Sequence, residues 1–109
     1  MTDSHKPNHR ATHTPDTETA WRAFSRQVFA DGALDARTKQ LIAVAVAHVT
    51  QCPDCIDGHT RAAKRAGAEP AELMEAIWVA SEMRAGGAVA HSRHAFASWE
   101  AASDSRGTK

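Results

Sequence analysis

The chain is 109 residues long, and its 13 lysines and arginines balance 13 aspartates and glutamates. One domain is the ceiling at this length, and the absence of any basic cluster interleaved with aromatics removes the electrostatic footprint of a nucleic-acid binder. With no run of about 18 apolar residues and no signal-peptide core, no membrane association is expected and the protein is expected in the cytoplasm.

Residues 1–18, MTDSHKPNHRATHTPDTE, contain two prolines, three histidines and almost no bulky apolar side chain. Such a segment buries too little surface to offset the entropy of ordering, and it is expected to be a disordered tail ahead of a single domain over residues 19–105. His5, His9 and His13 recur at a spacing of four, which in this polar, proline-containing context reads as accident rather than as a metal tract. The remaining chain of about ninety residues is a small domain with a thin core, which association would help.

Helical periodicity begins at Thr17, with Trp21, Phe24 and Val28 on one face and Asp31-Gly32 closing the segment. A second helix starts after Asp35 as N-cap and carries Leu41, Ile42, Val44, Ala45, Val46, Ala47 and Val49, apolar nearly all the way around. A helix of that kind belongs in the centre of a domain or in a subunit interface. A third helix opens at Cys52 and ends at Gly67, a glycine suited to the left-handed position after a helix. A fourth starts at Pro70 with Glu69, Glu72 and Glu75 near its positive end. Its apolar stripe of Leu73, Met74, Ile77, Trp78, Ala80 and Met83 is read as core. Gly86-Gly87 is expected to break it, and a fifth helix from about Ala88 to Ala102 displays Val89, Phe96 and Trp99, with His91 and His94 as surface or hydrogen-bonded groups. The expectation is an all-α fold, a small bundle of about five helices.

The stretch Cys52-Pro53-Asp54-Cys55-Ile56-Asp57-Gly58-His59 holds both cysteines of the chain. Proline fits the first position of a helix, which makes Cys52 the N-cap and Cys55 the third helical residue. Orphan backbone N–H groups and the positive end of the helix dipole favour a thiolate there. His59, four residues beyond Cys55, shares its helical face and can act as base or proton donor. The unit reads as a thiol, a resolving thiol and a proton carrier, and a reducing compartment favours a pair that cycles. Three plainer readings compete. A structural disulfide closing so short a loop adds little stability. A metal site of Cys52, Cys55, His59 and His48 would spread its ligands over roughly 16 Å of helix, too far to wrap one tetrahedral ion. Buried inert thiols fit poorly beside two aspartates, a glycine and a histidine.

The string Thr38-Lys39-Gln40-Leu41-Ile42-Ala43-Val44-Ala45-Val46-Ala47-His48, followed by Cys52-Pro53-Asp54-Cys55, His59-Thr60-Arg61-Ala62-Ala63, Ala66-Gly67-Ala68 and Glu75-Ala76, resembles the alkylhydroperoxidase (AhpD-like) branch of the carboxymuconolactone decarboxylase family. The resemblance spans roughly residues 33–96. It implies an all-α, AhpD-like subunit that assembles into homo-trimers or homo-hexamers. It also implies a thiol-dependent peroxidase or disulfide-exchange activity that needs no metal or other cofactor. By the same resemblance Cys55 meets the hydroperoxide, Cys52 is the more exposed resolving and exchange partner, and His59 is the proton relay. A dithiol electron donor, with a peroxiredoxin as one candidate, would reset the pair. Two positions depart from the family pattern. Peroxidatic members carry a glutamate twelve residues before the first cysteine, where this chain has Gln40, and Asp54 replaces a histidine often found between the cysteines. An amide cannot accept and release a proton, so His48, one turn before Cys52, is a candidate substitute in the relay. The alternatives for function are a lactone-processing decarboxylase, against which the intact cysteine pair argues, and a non-catalytic redox-sensing oligomer.

Overall fold

The computed structural model describes residues 6–103, and within them every regular element is helical. There are six helices: α1 (His9–His13), α2 (Pro15–Phe29), α3 (Ala36–Thr50), α4 (Pro53–Arg65), α5 (Pro70–Ala90) and α6 (Ser92–Ala101). Five of these have ten or more residues, as expected for the all-α class. The chain divides into two compact units, residues 1–39 and 40–109.

In the first unit the expectation of a disordered tail over residues 1–18 is corrected for the part described. His5 lies outside the described residues. Asn8 caps α1 by accepting from the Ala11 N–H at 3.1 Å, and Pro15 occupies the first turn of α2, two residues ahead of the expected start at Thr17. Order here comes from charge rather than from apolar burial. Glu18 is the one buried charged residue among those described. It accepts from Arg10 Nε and from Arg22 Nε, each at 2.6 Å. The Arg10 hydrogen bond is the largest influence holding the Glu18 carboxyl down to about 2. Composition alone hides such a device, because its three members lie up to twelve residues apart. His9 and His13 stack with ring centroids 5.8 Å apart on α1, so their spacing of four is a helical repeat. Lys39 donates to the carbonyls of Val28 and Ala30 at 2.8 and 2.7 Å, satisfying acceptors left over at the end of α2.

The second unit runs on from Gln40. Its fully buried apolar residues are Val44 and Ala47 on α3, Ala63 on α4 and Ala80 on α5. Three of the four are alanines, so only Val44 contributes a side chain worth about 1.5–3 kcal/mol of burial. The reading of Met74, Trp78 and Met83 as core is corrected: they are 45%, 64% and 64% exposed, and Phe96 and Trp99 are exposed as well. Gly86 and Gly87 do not break the helix. α5 runs through both to Ala90, and the turn falls at His91, whose N–H donates to the Gly87 carbonyl at 3.1 Å. Two helical glycines cost about 1 kcal/mol each relative to alanine, which weakens a helix without ending it.

α4 and α5 are punctuated as the sequence suggests. Gly67, at φ 96°, lies just past α4, with its N–H bonded to Lys64 O and that of Ala68 bonded to Ala63 O. Glu69 then caps α5, its N–H donating to Glu72 Oε1 at 2.9 Å, with Pro70 at the first helical position.

Candidate functional site

The junction between α3 and α4 sets the geometry of the cysteine pair. α3 ends in the same motif as α4, but with a glutamine where a glycine is usual. Gln51 adopts φ 58°, the one non-glycine residue with positive φ among those described, and the Cys52 N–H reaches back to the Ala47 carbonyl at 3.1 Å. Arg84 Nη1, from α5, donates to the Val49 carbonyl at 2.5 Å and satisfies another leftover acceptor of α3. The chain therefore reverses direction within two residues, and Pro53 begins α4 immediately. Neither Gln51 nor Arg84 was legible as part of the site. Glutamine carries no signal for a left-handed turn, and Arg84 is 35 positions from its partner.

Cys52 is the N-cap, with its sulfur accepting from the Cys55 N–H at 3.2 Å, as the proline register predicts. The two sulfurs are joined in a disulfide, with Cα atoms 5.2 Å apart. Their accessibilities reverse what the family resemblance implies. Cys55 is exposed and Cys52 is half-buried. The cause is local: Cys52 is drawn into the α3–α4 turn by its backbone bond to Ala47, while Cys55 stands on the outer side of the first turn of α4.

His59 follows Cys55 by one turn and is half-buried. Its Nδ1 lies 2.7 Å from Gln40 Oε1, the residue at the position where a relay carboxylate is expected. With the amide oxygen as acceptor, Nδ1–H donates and Nε2 carries the lone pair. Gln40 holds the ring in place as a carboxylate would, but it brings no negative charge to stabilise an imidazolium. His48 takes a different position. Its Nδ1 donates to the Val44 carbonyl at 2.8 Å, and with Gln51, Pro53, Ile56, Asp57 and Arg61 it lines an open groove of about 660 Å³ along α4. Within this lining Arg61 pairs with Asp57 at 3.2 Å, both well exposed. His91 and His94 form an exposed pair 5.4 Å apart at the α5–α6 turn. Among the described residues no group of three or more His, Cys, Asp or Glu side chains is placed to hold a metal ion.

The chain as a whole is similar to other proteins. The model of the carboxymuconolactone decarboxylase family matches residues 15–98. An uncharacterised protein of the cox locus of Paracoccus denitrificans is 68% identical over 78 residues, which cover 72% of this chain and 70% of that protein. An uncharacterised protein of Cupriavidus necator is 33% identical over 87 residues, covering 80% of this chain and 77% of that one. Among crystal structures, a carboxymuconolactone decarboxylase family protein from Legionella pneumophila superposes with a TM-score of 0.66 at 35% identity, over 69% of this chain and 67% of that one. A protein from Methanobacterium thermoautotrophicum superposes with a TM-score of 0.72 at 33% identity, over 78% and 98%.

The left-handed conformation of Gln51 costs roughly 1 kcal/mol in a residue with a Cβ. Gln51→Gly is therefore expected to raise stability by about 0.5–1 kcal/mol, and Gln51→Val to lower it by about 1–2 kcal/mol, because β-branching is poorly tolerated there. Urea denaturation of the oxidised protein measures both, and a glycine variant that is markedly destabilised would remove the strain at this turn from the account.

Proposed function

The chain belongs to the carboxymuconolactone decarboxylase family, and from that premise we propose that it is a thiol-dependent peroxidase and disulfide oxidoreductase of the AhpD-like type, reducing hydroperoxides in the cytoplasm. The observation that carries this reading is the Cys52–Cys55 disulfide at the start of α4, one turn ahead of a histidine held by Gln40. In the reduced pair, Cys55 thiolate attacks the terminal oxygen of the hydroperoxide, and the O–O bond breaks. The alkoxide leaves with a proton supplied through His59, and Cys55 becomes a sulfenic acid. Cys52 thiolate then attacks the Cys55 sulfur and expels hydroxide, which leaves as water, so that the disulfide forms. A dithiol donor, for which a peroxiredoxin is one candidate, returns two electrons and two protons.

One observation favours a second reading. An amide bonded to His59 positions the ring but cannot exchange a proton with it, which suits a redox-sensing oligomer with little turnover as well as a slow enzyme. Rates in mutants separate the two. General acid–base assistance contributes roughly 10²–10⁴-fold, so dithiothreitol-driven consumption of tert-butyl hydroperoxide is expected to be measurable but low in the wild type. Gln40→Glu should raise it at least about tenfold, because a carboxylate stabilises the imidazolium that His59 becomes. His48→Ala should change it little, since that ring is tied to Val44. Cys55→Ser should abolish it. A wild type that consumes no peroxide, and a Gln40→Glu variant that gains nothing, would leave the sensor reading in its place.

The same proposal includes a homo-oligomer, of trimeric or hexameric size. α5 carries a wide apolar stripe, and in the single chain its Trp78, Val79 and Met83 are each more than 60% exposed. An apolar face of this kind is stable when something covers it. A second copy of this chain is the partner that the resemblance implies. Light scattering at micromolar concentration is expected to give a multiple of 11.7 kDa; a monomeric mass would contradict it.

A further inference from the structure

α1 has five residues, well short of the roughly 12–15 at which a helix holds on its own in water. It persists because it is clamped. Asn8 accepts the Ala11 N–H at 3.1 Å at its start, and the Thr14 hydroxyl donates to the Arg10 carbonyl at 2.8 Å at its end. Between them Arg10 Nε donates to the buried Glu18 carboxylate at 2.6 Å. Arg22 Nε holds the other oxygen of that carboxylate at 2.6 Å, so Glu18 is itself fixed from within α2. The clamp sets the relation between His9 and His13, which stand on either side of Arg10 in sequence and share one face of α1. Their rings are parallel to within 8°, with centroids 5.8 Å apart. In a disordered tail a spacing of four carries no geometry; in this helix it brings two imidazoles together.

Imidazoles four residues apart on a helix are a recurring ligand pair for transition metals of intermediate softness. Two nitrogens on one ion, each at about 2.0–2.1 Å, are at most about 4 Å apart, so the rings close on an ion by tilting about their side-chain bonds while the backbone stays in place. Among the described residues no group of three or more His, Cys, Asp or Glu side chains forms around them, so water completes the coordination. The site does not depend on surface that a single chain leaves open. The segment HRATH has no bulky apolar side chain, and α1 therefore offers a neighbouring copy nothing apolar to bury.

We propose that His9 and His13 bind one divalent late transition-metal ion per chain, tightest for Cu(II) in the Irving–Williams order, and that Glu18 preorganises the pair. The site is separate from the two cysteines and takes no part in their chemistry. Glu18 is a positioning residue. It does not touch the ion, but without its charge Arg10 is released, α1 frays, and the second imidazole is no longer held beside the first. Linkage runs the other way as well: an ion bound to both rings ties the ends of α1 together and favours the helix.

The test uses the full chain without a purification tag and in its disulfide form, in which no free thiol competes for metal. Cu(II) is titrated at neutral pH and followed by electron paramagnetic resonance, whose nitrogen couplings report imidazole ligation. One ion per chain with two nitrogen ligands is expected. His9→Asn and His13→Asn should each weaken binding by about tenfold or more, since either removes an intramolecular ligand presented at roughly millimolar effective concentration. Glu18→Gln should weaken binding severalfold yet leave two nitrogens on the saturated ion, a signature that loss of a ligand does not give. Replacing both His91 and His94 by Asn, at the pair 5.4 Å apart at the α5–α6 turn, should change nothing. Wild-type affinity in His9→Asn or His13→Asn, loss of the site in the His91 and His94 double variant, or Glu18→Gln binding as tightly as wild type would each overturn the proposal. No peroxide or reductant is present, so the outcome is independent of whether the protein turns over hydroperoxides.

Discussion

The turn from α3 into α4 is the constraint on which the site depends. Left-handed Gln51 ends one helix, the Cys52 N–H closes the turn on Ala47, and Pro53 starts the next helix without a linker. That leaves Cys52 nowhere to be except at the N-cap, and it fixes Cys55 one turn above it at disulfide distance. The same turn brings α4 alongside the first turns of α3, which is how Gln40 and His59, nineteen residues apart, come within 2.7 Å. A glutamine in a conformation that suits glycine, and an arginine from α5 spent on one carbonyl of this turn, indicate how closely the junction is specified.

The chain spends little of its apolar surface on itself. Among the described residues Val44 is the one large side chain fully buried, while tryptophans, methionines and phenylalanines on α2, α5 and α6 remain open. Hydrophobic burial on this scale cannot balance the ordering entropy of a domain of this size, about 1–2 kcal/mol per residue for the backbone alone. The assembly proposed above would cover these side chains and place the redox pair on a scaffold stabilised in part between subunits.

How far the sequence could be read depended on the range of the interactions involved. Local chemistry was legible: Asp35 caps α3 through the Thr38 N–H at 2.8 Å, Cys52 caps α4, Gly67 ends it, and Pro70 opens α5. The pairing of position 40 with His59 was accessible too, though only through resemblance, since no periodicity rule connects α3 to α4. What escaped was decided by tertiary or charge effects. The Arg10–Glu18–Arg22 cluster orders a segment whose composition suggests disorder, and α5 carries two glycines through its last turns. Apolar stripes on α5 and α6 have the pattern of a core, and amphipathic pattern cannot tell a core within one chain from a face shared between chains. The reversed exposure of Cys52 and Cys55 follows from one backbone bond at the turn, which no sequence pattern encodes.

The central claim is that Cys52 and Cys55 cycle between dithiol and disulfide at the expense of a hydroperoxide. It is tested most directly by mass spectrometry of the fully reduced protein before and after one equivalent of tert-butyl hydroperoxide, with free thiols alkylated. The account predicts that both thiols disappear together, with a loss of two hydrogens and no added oxygen. Two thiols that remain alkylatable after the peroxide is added, or oxygen accumulating on one cysteine without a bond to the other, would contradict it.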